Sequence, residues 1–168
     1  MDKDNHFTES VMIVAGEASG DLHGSRLVMS MLKKKPELIF FGMGGEEFEQ
    51  AGVELVCRSE NISVMGLTEI FSKIREILKT LKYLKNLLHQ RKPSLLILID
   101  SADFNLRLAK AAKKLNIPVF YYITPKVWVW RKSRVKKLAQ LTDKAGVILP
   151  FEENYLRNRG VDARYVGN

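Results

Sequence analysis

The sequence predicts an α/β protein built on a doubly wound, mostly parallel sheet. Three observations carry that expectation. Short runs of β-branched, aliphatic and aromatic residues recur along the chain, each bounded by Gly, Pro or charge. Segments whose apolar residues follow helical spacing separate them. The first apolar run, moreover, breaks straight into small residues and then a helix, in VMIVAGEASGDLHGSRL (11–27). Such alternation makes right-handed βαβ crossovers and a sheet covered on both faces. Ligands of these sheets bind at the C-terminal ends of the strands, near the point where strand order reverses.

Taken in order, the strands are expected at 11–15, 38–41, 53–57, 95–99, 119–123 and 146–149. A final short strand is expected in DARYVGN. The first helix is expected at 21–34, opening on Asp21 in its first turn. The second, 69–90, has an apolar stripe of Ile70, Ile74, Ile77, Leu78, Leu81, Leu84 and Leu88, widened by Phe71 and Leu87. The rest of its surface is basic, so it is a crossover helix whose apolar face is wider than one sheet contact needs. Helices at 102–115, 133–141 and 152–159 complete the alternation. There is no repeat, low-complexity tract or linker, and residues 1–168 read as one domain that is half of something larger.

Composition narrows the partners without choosing one. Hydrophobic residues make up 46% of the 168, enough for a core. The net charge of +8 suits an anionic partner: nucleic acid, a phosphorylated small molecule or an acidic membrane surface. Cys57 is the single cysteine, so no internal disulfide forms, as in a reducing compartment. The N-terminus MDKDNHFTES has no apolar core and is not a secretory signal. The longest aliphatic run, LLILI, is far too short to span a bilayer. The expected location is therefore the cytosol or a membrane surface facing it. His6, His23 and His89 have no ligand spacing with Cys57 or one another, so no metal is expected.

Four stretches carry the chemistry, and each also has a plain structural reading. In AGEASGD, Gly16 and Gly20 let the backbone approach a ligand, and the helix N-terminus beyond them favours an anion. Glu17 and Ser19 suit sugar hydroxyls. The plain reading, of equal weight, is a tight turn with Ser19 or Asp21 as N-cap. In LLILIDSADFN, Asp100 ends a buried strand where general bases are often found, and its plain reading is capping, through Ser101 or the backbone; Asp103 is an N-cap or first-turn acid of the next helix. In YYITPKVWVWRKSRVKKL, Trp128 and Trp130 interleave with cations including Arg131, as on a surface that stacks bases and binds phosphates, or as an ordinary basic helix beside two core tryptophans. The basic amphipathic helix of 69–90, finally, also suits anionic lipid. A non-catalytic nucleic-acid-binding module thus stands as the alternative to an enzyme.

Together these stretches resemble the lipid-A-disaccharide synthase family of bacterial glycosyltransferases. The resemblance is carried in order by AGEASGDLHG, GMGG, ISVMGLTEI, IDSADFN, PKVWVWR, ILPFE and YVGN. It implies one Rossmann-like half of a two-domain GT-B architecture, with a C-terminal UDP-sugar domain outside this chain. It implies inverting transfer from UDP-2,3-diacylglucosamine to 2,3-diacylglucosamine 1-phosphate, without a cofactor or metal. Asp100 would be the catalytic base. Gly16, Glu17, Ser19, Gly20, Asp103, Asn105, Trp128 and Arg131 would bind the acceptor. Met65, Leu67, Ile70, Phe71 and Ile74 would touch the inner-membrane surface, on its cytoplasmic face. The resemblance implies no nucleic-acid partner.

Overall fold

The computed structural model describes residues 9–59, 70–124 and 132–167, the side chains of 70–73 and 132–133 excepted. Seven strands form one sheet: β1 (Ser10–Ala15), β2 (Ile39–Gly44), β3 (Glu54–Arg58), β4 (Leu95–Ile99), β5 (Val119–Tyr122), β6 (Lys144–Val147) and β7 (Ala163–Tyr165). Their order is β3-β2-β1-β4-β5-β6-β7, and every pairing is parallel. The helices are α1 (Ala18–Leu32), α2 (Glu46–Gln50), α3 (Ile70–Arg91), α4 (Ala102–Lys114), α5 (Lys132–Leu141) and α6 (Pro150–Arg157). The doubly wound parallel sheet expected from the alternation is therefore the observed fold.

The two core layers follow from strand alternation. Met12, Val14, Phe41, Met43, Leu96, Leu98, Val119 and Tyr121 face one side, where Leu84 and Leu88 of α3, Leu108 and Ala112 of α4 and Leu138 of α5 cover them. Val11, Ile13, Phe40, Ile97 and Ile99 face the other, beneath Val28 of α1 and Phe48 of α2. Crossovers leading from β1 towards β3 and from β3 back past β1 lie on opposite faces because each is right-handed. The winding reverses between β1 and β4, so the crevice belongs there.

Three local departures from the sequence expectation have physical causes. Helix α1 begins three residues earlier than expected, at Ala18, because Glu17 is extended and already serves as N-cap, with no side-chain cap bond. Strand β2 runs on through Gly42, because a Cβ there would fall 1.8 Å from the Ile13 carbonyl oxygen; only glycine lets β1 lie this close, and the β2–β3 register shifts at the same point. Helix α2 is too short to show a period, and a side chain from α1 caps it. Asp21, buried at 4% exposure, accepts from the backbone N–H groups of Gly45 (2.7 Å), Glu47 (3.0 Å) and Phe48 (3.3 Å).

The expected excess width of the α3 stripe is real. Leu81, Leu84, Leu87 and Leu88 are buried, yet Ile74 and Leu78 remain about half exposed. Among the described residues, no helix is long and apolar enough to cross a membrane, and no group of His, Cys, Asp and Glu side chains is placed to hold a metal ion.

Candidate active site at the crevice between β1 and β4

Strands β1 and β4 are neighbours, with Ala15 opposite Ile99. The turns that follow them, 16–17 and 100–101, therefore meet at the crevice. Gly16 has no room for a side chain, since a Cβ would lie 2.2 Å from the Ser101 hydroxyl. Gly20 is less crowded but still tight, since its Cβ would stand 3.1 Å from Oδ2 of Asp100. One turn later Gly24 is pressed between Phe48 and Ile99, at 2.5 and 2.6 Å from a built Cβ. Gly20 and Gly24 thus seat α1 directly on the end of β4, and the spacing Gly16, Gly20, Gly24 is explained by close approach of two chain segments. This close seating brings the uncapped first turn of α1 over the Asp100 carboxylate.

Asp100 and Ser101 both have left-handed backbone, with φ of 51° and 38°. Non-glycine residues there cost on the order of 1–3 kcal/mol each and persist where the surroundings enforce them. Asn105 supplies part of the enforcement. Its side-chain amide donates to the carbonyls of Ile99 (2.8 Å) and Asp100 (2.9 Å). The Tyr121 hydroxyl donates to the same Asp100 carbonyl. Among the described residues, the Asp100 carboxylate has no hydrogen-bond donor. Burial first, and then the negative charge of Glu17, push its pKa up to about 6. A carboxylate poised near neutrality, at the tip of a central strand and beside exposed Glu17, is equipped to take a proton from a hydroxyl.

The expected site residues divide by where the fold puts them. Gly16, Glu17, Gly20 and Asp100 converge on the crevice, and Ser19 is exposed on the first turn of α1. Asp103 is on the outer side of α4, largely exposed, and pairs with Arg134 at 2.7 Å. The pair sits in a groove of about 430 Å³ between α4 and α5, lined also by Arg107, Lys110 and Lys137. Asn105 is fully buried, so its part is to fix the turn, and its side chain does not face the crevice. Ile74 is exposed on α3, as a surface contact requires. Trp128, Arg131, Met65 and Leu67 lie outside the described residues, as do the side chains of Ile70 and Phe71. Sequence reasoning missed Tyr121, whose position in VFYY shows it faces inward but gives no sign of what its hydroxyl meets.

This sheet order with a crevice at the β1–β4 switch is the fold of GT-B glycosyltransferases and related epimerases. Similar solved structures are a UDP-GlcNAc 2-epimerase from Neisseria meningitidis bound to UDP-GlcNAc, with TM-score 0.67 and 14% identity over 95% of this chain and 47% of that one. Another is UGT73P12 from Glycyrrhiza uralensis, with TM-score 0.66 and 7% identity over 95% and 48%. At such identities the likeness is one of fold. The family is given by sequence: the model of the lipid-A-disaccharide synthetase family matches residues 11–168, and the chain belongs to that family. It is 52% identical over 158 residues to the lipid-A-disaccharide synthase of Syntrophus aciditrophicus and 49% identical to that of Myxococcus xanthus. In both cases the match covers 94% of this chain and 41% of the relative, so the chain spans about two-fifths of those relatives' length.

Proposed function

We propose that this chain is the acceptor-side half of a lipid-A-disaccharide synthase, with Asp100 as general base. The observation that carries the reading is the Asp100 carboxylate, held at the β1–β4 crevice with no hydrogen-bond donor among the described residues and poised near neutrality. In the reaction, Asp100 removes the proton from the 6-hydroxyl of 2,3-diacylglucosamine 1-phosphate. The freed oxygen attacks C1 of UDP-2,3-diacylglucosamine as the bond from C1 to the UDP oxygen breaks. UDP leaves, and the disaccharide 1-phosphate forms with an inverted, β(1→6) linkage. Glu17 and Ser19 orient sugar hydroxyls beside Asp100. The UDP-sugar site belongs to a second domain outside this chain, and no metal or cofactor takes part.

The reading places the protein on the cytoplasmic face of the inner membrane. Ile74 and Leu78 are exposed beside Arg75, Lys79 and Lys82, a combination that suits acyl chains and anionic headgroups together. The Arg107, Lys110 and Lys137 groove adds positive charge on the same side of the sheet.

The test is Asp100→Asn in the protein carrying both domains. Transfer should fall by about 10²- to 10⁴-fold, the usual worth of a general base, while circular dichroism stays unchanged. The wild-type rate should rise with pH through about 6 and then level off, because only the ionised carboxylate accepts the proton. Near-normal turnover in the variant would refute the role.

A further inference from the structure

We propose that Tyr121, acting with Asn105, is the positioning residue that keeps Asp100 aimed into the crevice. This rests on the reading of Asp100 as the base. Tyr121 lies on β5 opposite Leu98, two residues short of Asp100, and its ring is fully buried on the α3–α4–α5 side of the sheet. The ring leans along the strand until its hydroxyl reaches the Asp100 carbonyl. That carbonyl needs a partner. Beyond Ile99 the chain turns left-handed at two consecutive non-glycine residues, which takes the Asp100 carbonyl out of the regular ladder. The phenol and the Asn105 amide then replace the lost ladder donor with two donors on one oxygen. The side chain on the far side of the same Cα is the carboxylate, beside Gly20 of α1. Pinning the carbonyl therefore fixes the direction of the Cα–Cβ bond that carries the carboxylate towards the crevice.

Two features show that the network serves this turn. A buried hydroxyl is costly unless bonded, and core packing alone would be met by phenylalanine. Asn105 uses its amide nitrogen on the Ile99 and Asp100 carbonyls while its Oδ1 is buried with no partner among the described residues. That unpaired atom has a cost, which the two amide bonds to the turn offset. Burial also keeps the Tyr121 phenol protonated far above the ordinary range, so it remains a donor at every working pH.

The test follows the Asp100 carboxyl by ¹³C NMR as pH is varied, in this chain and in Tyr121→Phe. Tyr122→Phe, whose ring faces the opposite side of the sheet, is the control. Loss of the clamp should free the carboxylate towards water and lower its titration midpoint by about half a unit or more, with Tyr122→Phe unmoved. In the two-domain protein, Tyr121→Phe should cut kcat by about tenfold with KM within about twofold, and shift the acid limb of the rate profile by the same amount as the titration. An unchanged midpoint in Tyr121→Phe overturns the proposal. A shifted midpoint with unchanged kcat leaves the clamp standing and removes Asp100 as the base. Should Tyr121→Phe fail to fold, Asn105→Ala is titrated in its place, and the same midpoint decides.

Discussion

Two aspartates near the C-terminal end of the sheet, Asp21 of α1 with its carboxylate at the turn after β2 and Asp100 at the end of β4, sit in opposite environments. Asp21 is almost fully buried, yet three backbone N–H groups at the start of α2 point at its carboxylate. Asp100 is less buried, but among the described residues no donor reaches its carboxylate, and Glu17 adds a like charge. The backbone shows the reverse pattern. Asp21 sits in ordinary helix, whereas Asp100 occupies a left-handed turn whose carbonyl is held by two donors. A carboxylate whose lone pairs are spent on the fold is structural. One whose backbone is clamped and whose oxygens are left open is free to exchange a proton.

The largest structural effect expected from this contrast is at Asp21. Asp21→Ala orphans the N–H groups of Gly45 and Phe48 in a buried turn and should cost about 3 kcal/mol in urea denaturation. A loss below about 0.5 kcal/mol would break the comparison, since Asp21 would then be no more structural than a surface acid. Next comes Gly24→Ala, whose added methyl collides with Phe48 and Ile99. Overpacking of this kind costs about 1–3 kcal/mol, and here it would also lift α1 from β4. If that lift is real, transfer by the two-domain protein should fall even when the variant is assayed well below its melting temperature.

The smallest effect has the opposite sign. Because burial and Glu17 raise the pKa of Asp100, the folded protein binds that proton more tightly than the unfolded chain does. The group's contribution to stability is full below the ordinary carboxylate pKa and is lost as pH rises through about 6. Asp100→Asn should therefore melt slightly higher than wild type at pH 8, with the gain shrinking towards pH 4. A lower melting temperature at pH 8 would mean that the ionised carboxylate stabilises the fold, and Asp100 would belong with Asp21.

Much of this was legible in the sequence. The strands were visible because a parallel sheet covered on both faces needs unbroken apolar runs, such as LLILI. Asp100 was visible because such a run ended in an acid. Helix α2 escaped detection because five residues cannot display a period, and its cap lies 24 residues away from Gly45 in the chain. Asp21 itself was read as a local helix residue, which its spacing permits and its contacts overrule.

The order of apolar runs, the glycines at 16, 20 and 24 and the acid at 100 determined the fold class and the end of the sheet where chemistry gathers, because backbone sterics and strand alternation are local and periodic. Which acid became structural, why the glycines are spaced as they are, and that Tyr121 and Asn105 share one carbonyl were decided only by the tertiary structure. Those outcomes depend on distances between segments far apart in the chain, and no local pattern encodes a hydrogen bond between β5 and the end of β4.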